Sequence, residues 1–363
     1  MQNNPSPTGL LQDTRTPDQK EFDIKYSDLY GNALPISPVY LKGQPPLSSY
    51  DIFPWENQFG TLSCVAHGKT LNQAIYNSIK KKEPFVQGAP AFVYRLRANY
   101  PSGGMDPNDG NRILQNYGVT NYADCPTPAH EADINSIVIT PADYQLAAKN
   151  KSGSWAISNN PGDIDTIAYA TNTLGVAVSI LIFAQEDEWS LQTPQILYPN
   201  LTKDVAQVSH CITALPNVSY TDFTGKRFIV IQDSALFGGF VYRFVSEDFI
   251  KARCVHADIL VSLGMSTIIT LPKYVFNNDL SFGSTGKDVQ ILQTCLQSLG
   301  FFPTLLNGML FQPTQYFGGM TKNAVLAFQQ AYFEDILAPL GLNAPTGNVA
   351  SQTRKVLNDL MSK

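Results

Sequence analysis

Charge is scarce in this chain. Only 15% of its 363 residues are Asp, Glu, Lys or Arg, against roughly 25% in an average soluble domain, and the basic ones form no run longer than Lys80-Lys81-Lys82. With a net charge of −5 and no basic stripe, the footprint of a nucleic-acid binder is missing and no nucleic acid partner is expected. Long apolar runs are missing as well. The nearest candidates, Leu174 to Phe183 and His256 to Leu271, fall short of the roughly 18 residues of a membrane span and read as core segments, so no membrane partner is expected. Residues 1–20 carry neither a basic n-region nor an apolar h-region, which predicts no secretory signal and, if the protein works outside a cell, a non-classical release.

Metal chemistry is equally unprovided for. The five cysteines, Cys64, Cys125, Cys211, Cys254 and Cys295, lie far apart with no CxxC pair. Among the four histidines, His130-Glu131 is followed by Ala-Asp-Ile, so the HExxH zinc motif fails. No metal and no cofactor are predicted. An odd cysteine count leaves at least one thiol unpaired, which suits a thiol enzyme and a reduced cytosolic protein alike. What the chain does hold is 44% hydrophobic residues, enough for a substantial core, and a length that suits two domains.

One stretch organises the rest. In Pro54 to Asn77, PWENQFGTLSCVAHGKTLNQAIYN, a loop suited to a tight turn at Gly60-Thr61 runs into Val65, Ala66, Leu71, Ala74 and Ile75 at helical spacing. Cys64 therefore sits at a helix N-terminus, where unpaired backbone N–H groups favour a thiolate, the nucleophilic form of cysteine. Gln58 stands six residues earlier. A lone cysteine on a helix is more often a small buried hydrophobe than a nucleophile. The Gln58-to-Cys64 spacing, with Ser63 before the cysteine and Ala66 after it, resembles the active-site segment of papain-like cysteine peptidases.

That resemblance implies roles for residues further along. Gln58 would help form the oxyanion hole. Pro101-Ser-Gly-Gly-Met-Asp106 looks like the family's glycine strip that pairs with substrate backbone, making Gly103 and Gly104 substrate-binding candidates, although by itself it reads as a loop. Val205 to Leu215 reads as a strand with His210 at its middle, Arg227 to Gln232 as a second strand running into Asp233, and Gly238 to Phe244 as a third. This order is similar to the family's histidine strand and the strand that follows it, so His210 becomes the base and Asp233 its orienter. Asp233 stands where the family usually has asparagine, and Ala235 where it has a shielding tryptophan. The first change should favour a charged His210; the second should expose and weaken the His210–Asp233 bond. His67, one turn from Cys64 on the same helix face, is a rival base, and Gln232 a rival orienter that strand alternation turns away.

The rest of the chain reads as an N-terminal arm (1–33), the peptidase-like domain (34–271), in which Leu34-Pro35 resembles the family's mature start, a linker (272–279) and a C-terminal unit (280–363). In that unit Gly283 to Gly300, Phe317 to Gln329 and Thr346 to Leu357 carry three helical patterns introduced by Gly or Thr. They resemble the peptidoglycan-binding module of cell-wall hydrolases, with a longer connection from Phe302 to Tyr316. The expected fold is α+β: a papain-like two-lobed domain, with a helical lobe and an antiparallel β-barrel lobe, followed by a small three-helix domain. The two resemblances together imply a cysteine endopeptidase, of phage-lysin type among other forms, with a peptide or protein substrate and bacterial peptidoglycan as partner. A weak or inactive papain-shaped binding protein and a peptidyl transferase are the alternatives.

Overall fold

The computed structural model describes residues 24–25, 38–153, 155–158, 160–185, 187–189, 194–202, 208–236, 239–260, 273–299, 301–302, 305–306, 309–310 and 313–362. Leu34-Pro35, most of the expected arm, residues 205–207 and Gly238 lie outside them. The described residues fall into two compact units. One draws on stretches 1–112, 121–137 and 154–263, the other on 113–120, 138–153 and 264–363.

The larger unit is built around helix α1, Cys64–Lys81. Its sequence has few apolar residues, yet polar His67, Lys69, Thr70, Asn72 and Gln73 are as buried as Val65 and Ile75. A helix covered on all sides must satisfy its polar groups internally. Lys69 reaches Asp258, and the Thr70 hydroxyl donates to the Ala66 carbonyl at 2.9 Å. Two shorter helices follow, α2 (Pro90–Arg95) and α3 (Pro107–Asn116), the first started by a proline whose missing N–H costs a helix nothing there.

Among the described residues ten strands form a single sheet: β1 (Ile24–Lys25), β2 (Leu41–Lys42), β3 (Trp155–Ile157), β4 (Val178–Ala184), β5 (Ile196–Leu197), β6 (Val208–Ala214), β7 (Tyr220–Thr221), β8 (Arg227–Gln232), β9 (Tyr242–Ser246) and β10 (Cys254–Leu260). The spatial order is β1-β3-β10-β4-β6-β8-β7-β2, with β9 beside β8 and β5 beside β9. The long pairings are antiparallel. Among the described residues the order has two free ends, so in place of the expected antiparallel β-barrel there is an open, mainly antiparallel sheet, within the expected α+β class. The third expected strand begins at Tyr242 rather than at the glycines, and β10, which runs into the stretch from His256 read as a core segment, is an interior strand between β3 and β4.

Alternation sorts β6 into two faces. Val208, Ile212 and Ala214 join one apolar core with Ile180, Ile182, Ile229, Trp189 and Phe249. His210 belongs to the same row. Residues of the other parity meet α1: the Thr213 hydroxyl donates to the Gly68 carbonyl at 3.4 Å, and any Cβ at Gly68 would lie 2.9 Å from the Cys211 sulfur. Glycine at position 68 thus lets helix and strand touch.

In the smaller unit, helices Lys287–Ser298, Gly319–Ala331 and Ser351–Met361 bury Leu292, Leu296, Val325, Phe328, Val356 and Leu357. The same device recurs at two helix starts. Gln293 donates to the Tyr316 carbonyl (2.9 Å) and the Thr321 hydroxyl (2.8 Å) and accepts from the Thr314 N–H; Gln329 does the same with Asn348 (2.7 Å), Thr353 (3.0 Å) and Thr346. Each buried glutamine pins the loop that introduces the next helix, satisfying backbone groups left open at its end. Tyr144, from helix Pro141–Ala147, packs on Phe301 with ring centroids 4.7 Å apart. The long connection contains a short hairpin pairing Leu305–Leu306 with Met309–Leu310.

Candidate active site

The loop before α1 is shaped by its own hydrogen bonds. The Thr61 N–H and hydroxyl both donate to the Gln58 carbonyl, at 3.1 and 2.6 Å, closing a turn. Phe59, not Gly60, takes the left-handed conformation (φ 51°), and the Asn57 side chain accepts its N–H. An asparagine two residues back can support such a strained position. The turn delivers Cys64 as the first residue of α1, where its backbone N–H has no partner within the helix.

Across from it stands His210. Its Nε2 lies 2.8 Å from Asp233 Oδ1, with both side chains fully buried. The Cys64 side chain acts on the same ring, favouring its charged form. With Nε2 committed to the carboxylate, Nδ1 is the nitrogen left to meet the thiol. Burial opposes a charged ring, but the Asp233 carboxylate, its hydrogen bond and Cys64 outweigh burial and push His210 up to about 9. An imidazole set between a thiol and a carboxylate can take the thiol's proton and keep it at neutral pH.

Gln58 is held on both ends of its amide. Its carbonyl oxygen accepts from the Ser234 hydroxyl at 2.8 Å, its Nε2 donates to the Thr61 carbonyl at 3.0 Å, and its backbone N–H donates to the Ser234 carbonyl at 3.0 Å. One of the two amide protons remains. Gly103 and Gly104 come to the same region through Leu62: a Cβ on Gly103 would lie 2.4 Å from the Leu62 side chain, two residues ahead of Cys64. Asn99 donates to both glycine carbonyls at 3.2 Å, and the Tyr94 hydroxyl accepts the Gly104 N–H at 2.9 Å. Glu131 ties this strip to the turn by accepting the Leu62 N–H (2.8 Å) and the Tyr94 hydroxyl (2.6 Å).

Comparison with solved structures bears on the fold that carries these residues. The chain is similar to xylellain, a cysteine protease from Xylella fastidiosa, with a TM-score of 0.55 and 17% identity, over 71% of this chain and 97% of that one. It is similar too to the digestive procathepsin L2 proteinase of Tenebrio molitor larval midgut, with a TM-score of 0.50 and 14% identity, over 70% of this chain and 78% of that one. The larger part of the chain has the papain-like cysteine protease fold. Residues 285–357 match the family model of a putative peptidoglycan binding domain. No curated protein matches the sequence significantly.

Within the papain-like fold, one expectation is corrected. Ala235 was expected to leave the His210–Asp233 bond exposed, but neither side chain has accessible surface. The cover comes from elsewhere. The Trp189 ring packs edge-on against His210, centroids 5.7 Å apart, and Trp55 donates its indole N–H to the Asp233 carbonyl at 2.8 Å. The Ala235 N–H meanwhile donates to Asp233 Oδ1 at 2.9 Å. Behind the carboxylate, Arg243 Nε faces Asp233 Oδ2 at 3.4 Å.

The rivals fall elsewhere. His67 is fully buried, its Nδ1 is 3.1 Å from the Ser63 carbonyl, and burial pushes it down to about 4, so it stays neutral. Gln232 donates to the Phe53 carbonyl at 3.2 Å and does not orient His210. Sequence reasoning missed Trp189, Ser234, Trp55 and Arg243. None stands at a motif position, and only the buried arginine in an apolar strand, Tyr242-Arg243-Phe244, carried a readable signal.

Proposed function

We propose that the chain is a cysteine endopeptidase that acts through Cys64, His210 and Asp233 and is held at bacterial peptidoglycan by its C-terminal module. The observation that carries the reading is buried His210, hydrogen-bonded to Asp233 at 2.8 Å, with the Cys64 side chain close enough to favour the charged ring. Cys64 attacks a peptide carbonyl carbon as a thiolate, and the C=O pair moves onto oxygen. The Cys64 backbone N–H and the remaining Gln58 amide proton receive that oxyanion, each worth about 3 kcal/mol in the transition state. The imidazolium then protonates the leaving amine, the C–N bond breaks and a thioester remains. Water, deprotonated by His210, completes hydrolysis.

The Gly103-Gly104 strip, tied through Leu62 to the turn before Cys64, is the edge an extended substrate would follow, the substrate's N–H groups sharing the glycine carbonyls with Asn99. The module match supports a workplace at the cell wall, where the peptide cross-links are the nearest substrates. In that form the protein is a lysin, released by a phage-type route. The test is to incubate the purified chain and Cys64→Ala with intact wall sacculi and with a denatured protein, and to identify fragments by mass. New termini in wall peptides from the wild type alone are expected. Equal cleavage by Cys64→Ala, or none of either substrate by the wild type, would overturn the reading.

A further inference from the structure

Asp233 brings a full negative charge to a place where enzymes of the resembling family hold a neutral amide. A buried carboxylate beside an imidazole binds the imidazolium firmly, yet the leaving amine must receive that same proton. A countercharge is present. Arg243, on β9, is fully buried, and its Nε faces Asp233 Oδ2 at 3.4 Å while Oδ1 serves His210. Among the described residues Arg243 also meets the Pro194 carbonyl, 3.3 Å from Nη1, and the rings of Trp189 and Phe240, at 5.0 and 5.9 Å. Trp189 also packs on His210, so one tryptophan seals arginine and imidazole together.

We propose that Arg243 is a positioning residue for the peptidase reaction: it balances the Asp233 carboxylate, making the Asp–Arg pair the electrostatic equivalent of a neutral asparagine and setting how readily His210 releases its proton. The proposal rests on the peptidase reading given above. Among the described residues, the charged and titratable groups that bear on His210 include Cys64 and His67 on α1, Asp233 after β8 and Arg243 behind it on β9. Of these, Arg243 is the fixed cation, since guanidinium keeps its proton at any working pH.

The experiment compares the full chain with Arg243→Met, Arg243→Lys, Asp233→Asn and the double variant Asp233→Asn/Arg243→Met. It reads the upper limb of kcat/KM against pH on a peptide substrate and, independently, the His210 titration by NMR of histidine-labelled protein. Removing the cation favours the imidazolium, so Arg243→Met should move both upward by about one pH unit. Asp233→Asn should move both down, because the arginine then faces the imidazolium without the carboxylate. The double variant should titrate between the two and recover about tenfold of the kcat/KM lost in Arg243→Met. Arg243→Lys should stay near the wild type. Should Arg243→Met fail to fold, recovery of folding in the double variant supports the charge balance, and a double variant that also fails counts against it. An unmoved His210 titration in soluble Arg243→Met, or a double variant no better than the worse single one, overturns the proposal. If the titration moves as stated while the wild type cleaves nothing, the peptidase reading fails and the electrostatic role of Arg243 stands.

Discussion

Replacing Lys69 by methionine should destabilise the larger unit by an amount that depends on pH in a set direction. Lys69 lies on α1, five residues beyond Cys64, and pairs with Asp258 on β10, both side chains having no accessible surface. Asp258 also accepts from the Asn111 amide at 2.9 Å and lies 3.1 Å from His256 Nε2. Burial alone would raise the Asp258 carboxyl, but Lys69 first and His256 second hold it well below the usual carboxylate range. Methionine fills the lysine's volume without its charge and leaves a buried carboxylate with weaker support. Breaking a fully buried pair in this way costs about 3–5 kcal/mol. At an m-value near 3 kcal/mol per molar, that is a fall of about 1–2 M in the urea midpoint.

The sign with pH follows from linkage. In the wild type the folded Asp258 is more acidic than the unfolded one, so its stabilisation is present above the ordinary carboxylate range and lost as pH falls through the depressed folded value. In Lys69→Met the folded carboxyl becomes less acidic than the unfolded one. The variant therefore takes up a proton on folding, and its deficit should narrow between pH 7 and pH 5. Intrinsic fluorescence suits the assay, because the three tryptophans, Trp55, Trp155 and Trp189, all belong to the larger unit and Trp155 lies 4.7 Å from the Lys69 ammonium. Lys69→Met/Asp258→Asn should recover part of the loss. A midpoint at pH 7 within about 0.3 M of wild type, or a gap that widens on acidification, would refute the reasoning.

Three further outcomes follow from the site. Ser234→Ala removes the 2.8 Å donor that holds the Gln58 carbonyl, so kcat on a peptide substrate should drop about 3- to 10-fold with KM little changed; an unchanged kcat would remove Ser234 from the oxyanion frame. Trp189→Ala should destabilise the unit by about 3–5 kcal/mol and, by admitting water beside His210, draw that ring's titration from about 9 back towards its ordinary value; histidine NMR reads the second effect apart from the first. Because the folded His210 lies above the unfolded value, its stabilisation is fully present below about pH 6.5 and lost as pH rises through about 9. The urea midpoint should therefore fall between pH 6.5 and 9.5 in the wild type and fall less in His210→Gln.

What could be read from the sequence follows from how local each signal is. The apolar period of α1, the alternation of β6 and β8 and the glycine- and threonine-led helices of the C-terminal module are set by near neighbours along the chain. Their bounds accordingly hold to within a few residues, as for β8 at Arg227–Gln232. The turn before Cys64 was placed in the right stretch, but its left-handed residue is Phe59 rather than Gly60. An asparagine side chain and two hydrogen bonds from Thr61 to the Gln58 carbonyl decide that position, and neither is a glycine signal. The open edge of the sheet and the course of β10 depend on pairings between residues far apart, such as Ser179 with Asp258, which no local pattern contains.

The cover over His210 makes the same point in the chemistry. Sequence reasoning compares residues at matching places, so alanine at 235 looked like a lost shield and a wetter bond. Shielding, however, is a property of the volume around a bond and not of a position in the chain. Trp189, 21 residues before His210 in the numbering, occupies that volume from another direction. Once the site is dry, aspartate in place of asparagine becomes the harder departure, because the energy of an unbalanced charge rises as water leaves. Tryptophan cover and arginine countercharge are therefore linked requirements. A variant that keeps Asp233 and Trp189 but loses Arg243 should be worse off than one that loses Arg243 and Trp189 together, since water admitted by the second change screens the charge exposed by the first. Measuring His210 titration in the two variants decides it: a value no lower in Arg243→Met/Trp189→Ala than in Arg243→Met would separate cover from charge and refute the link.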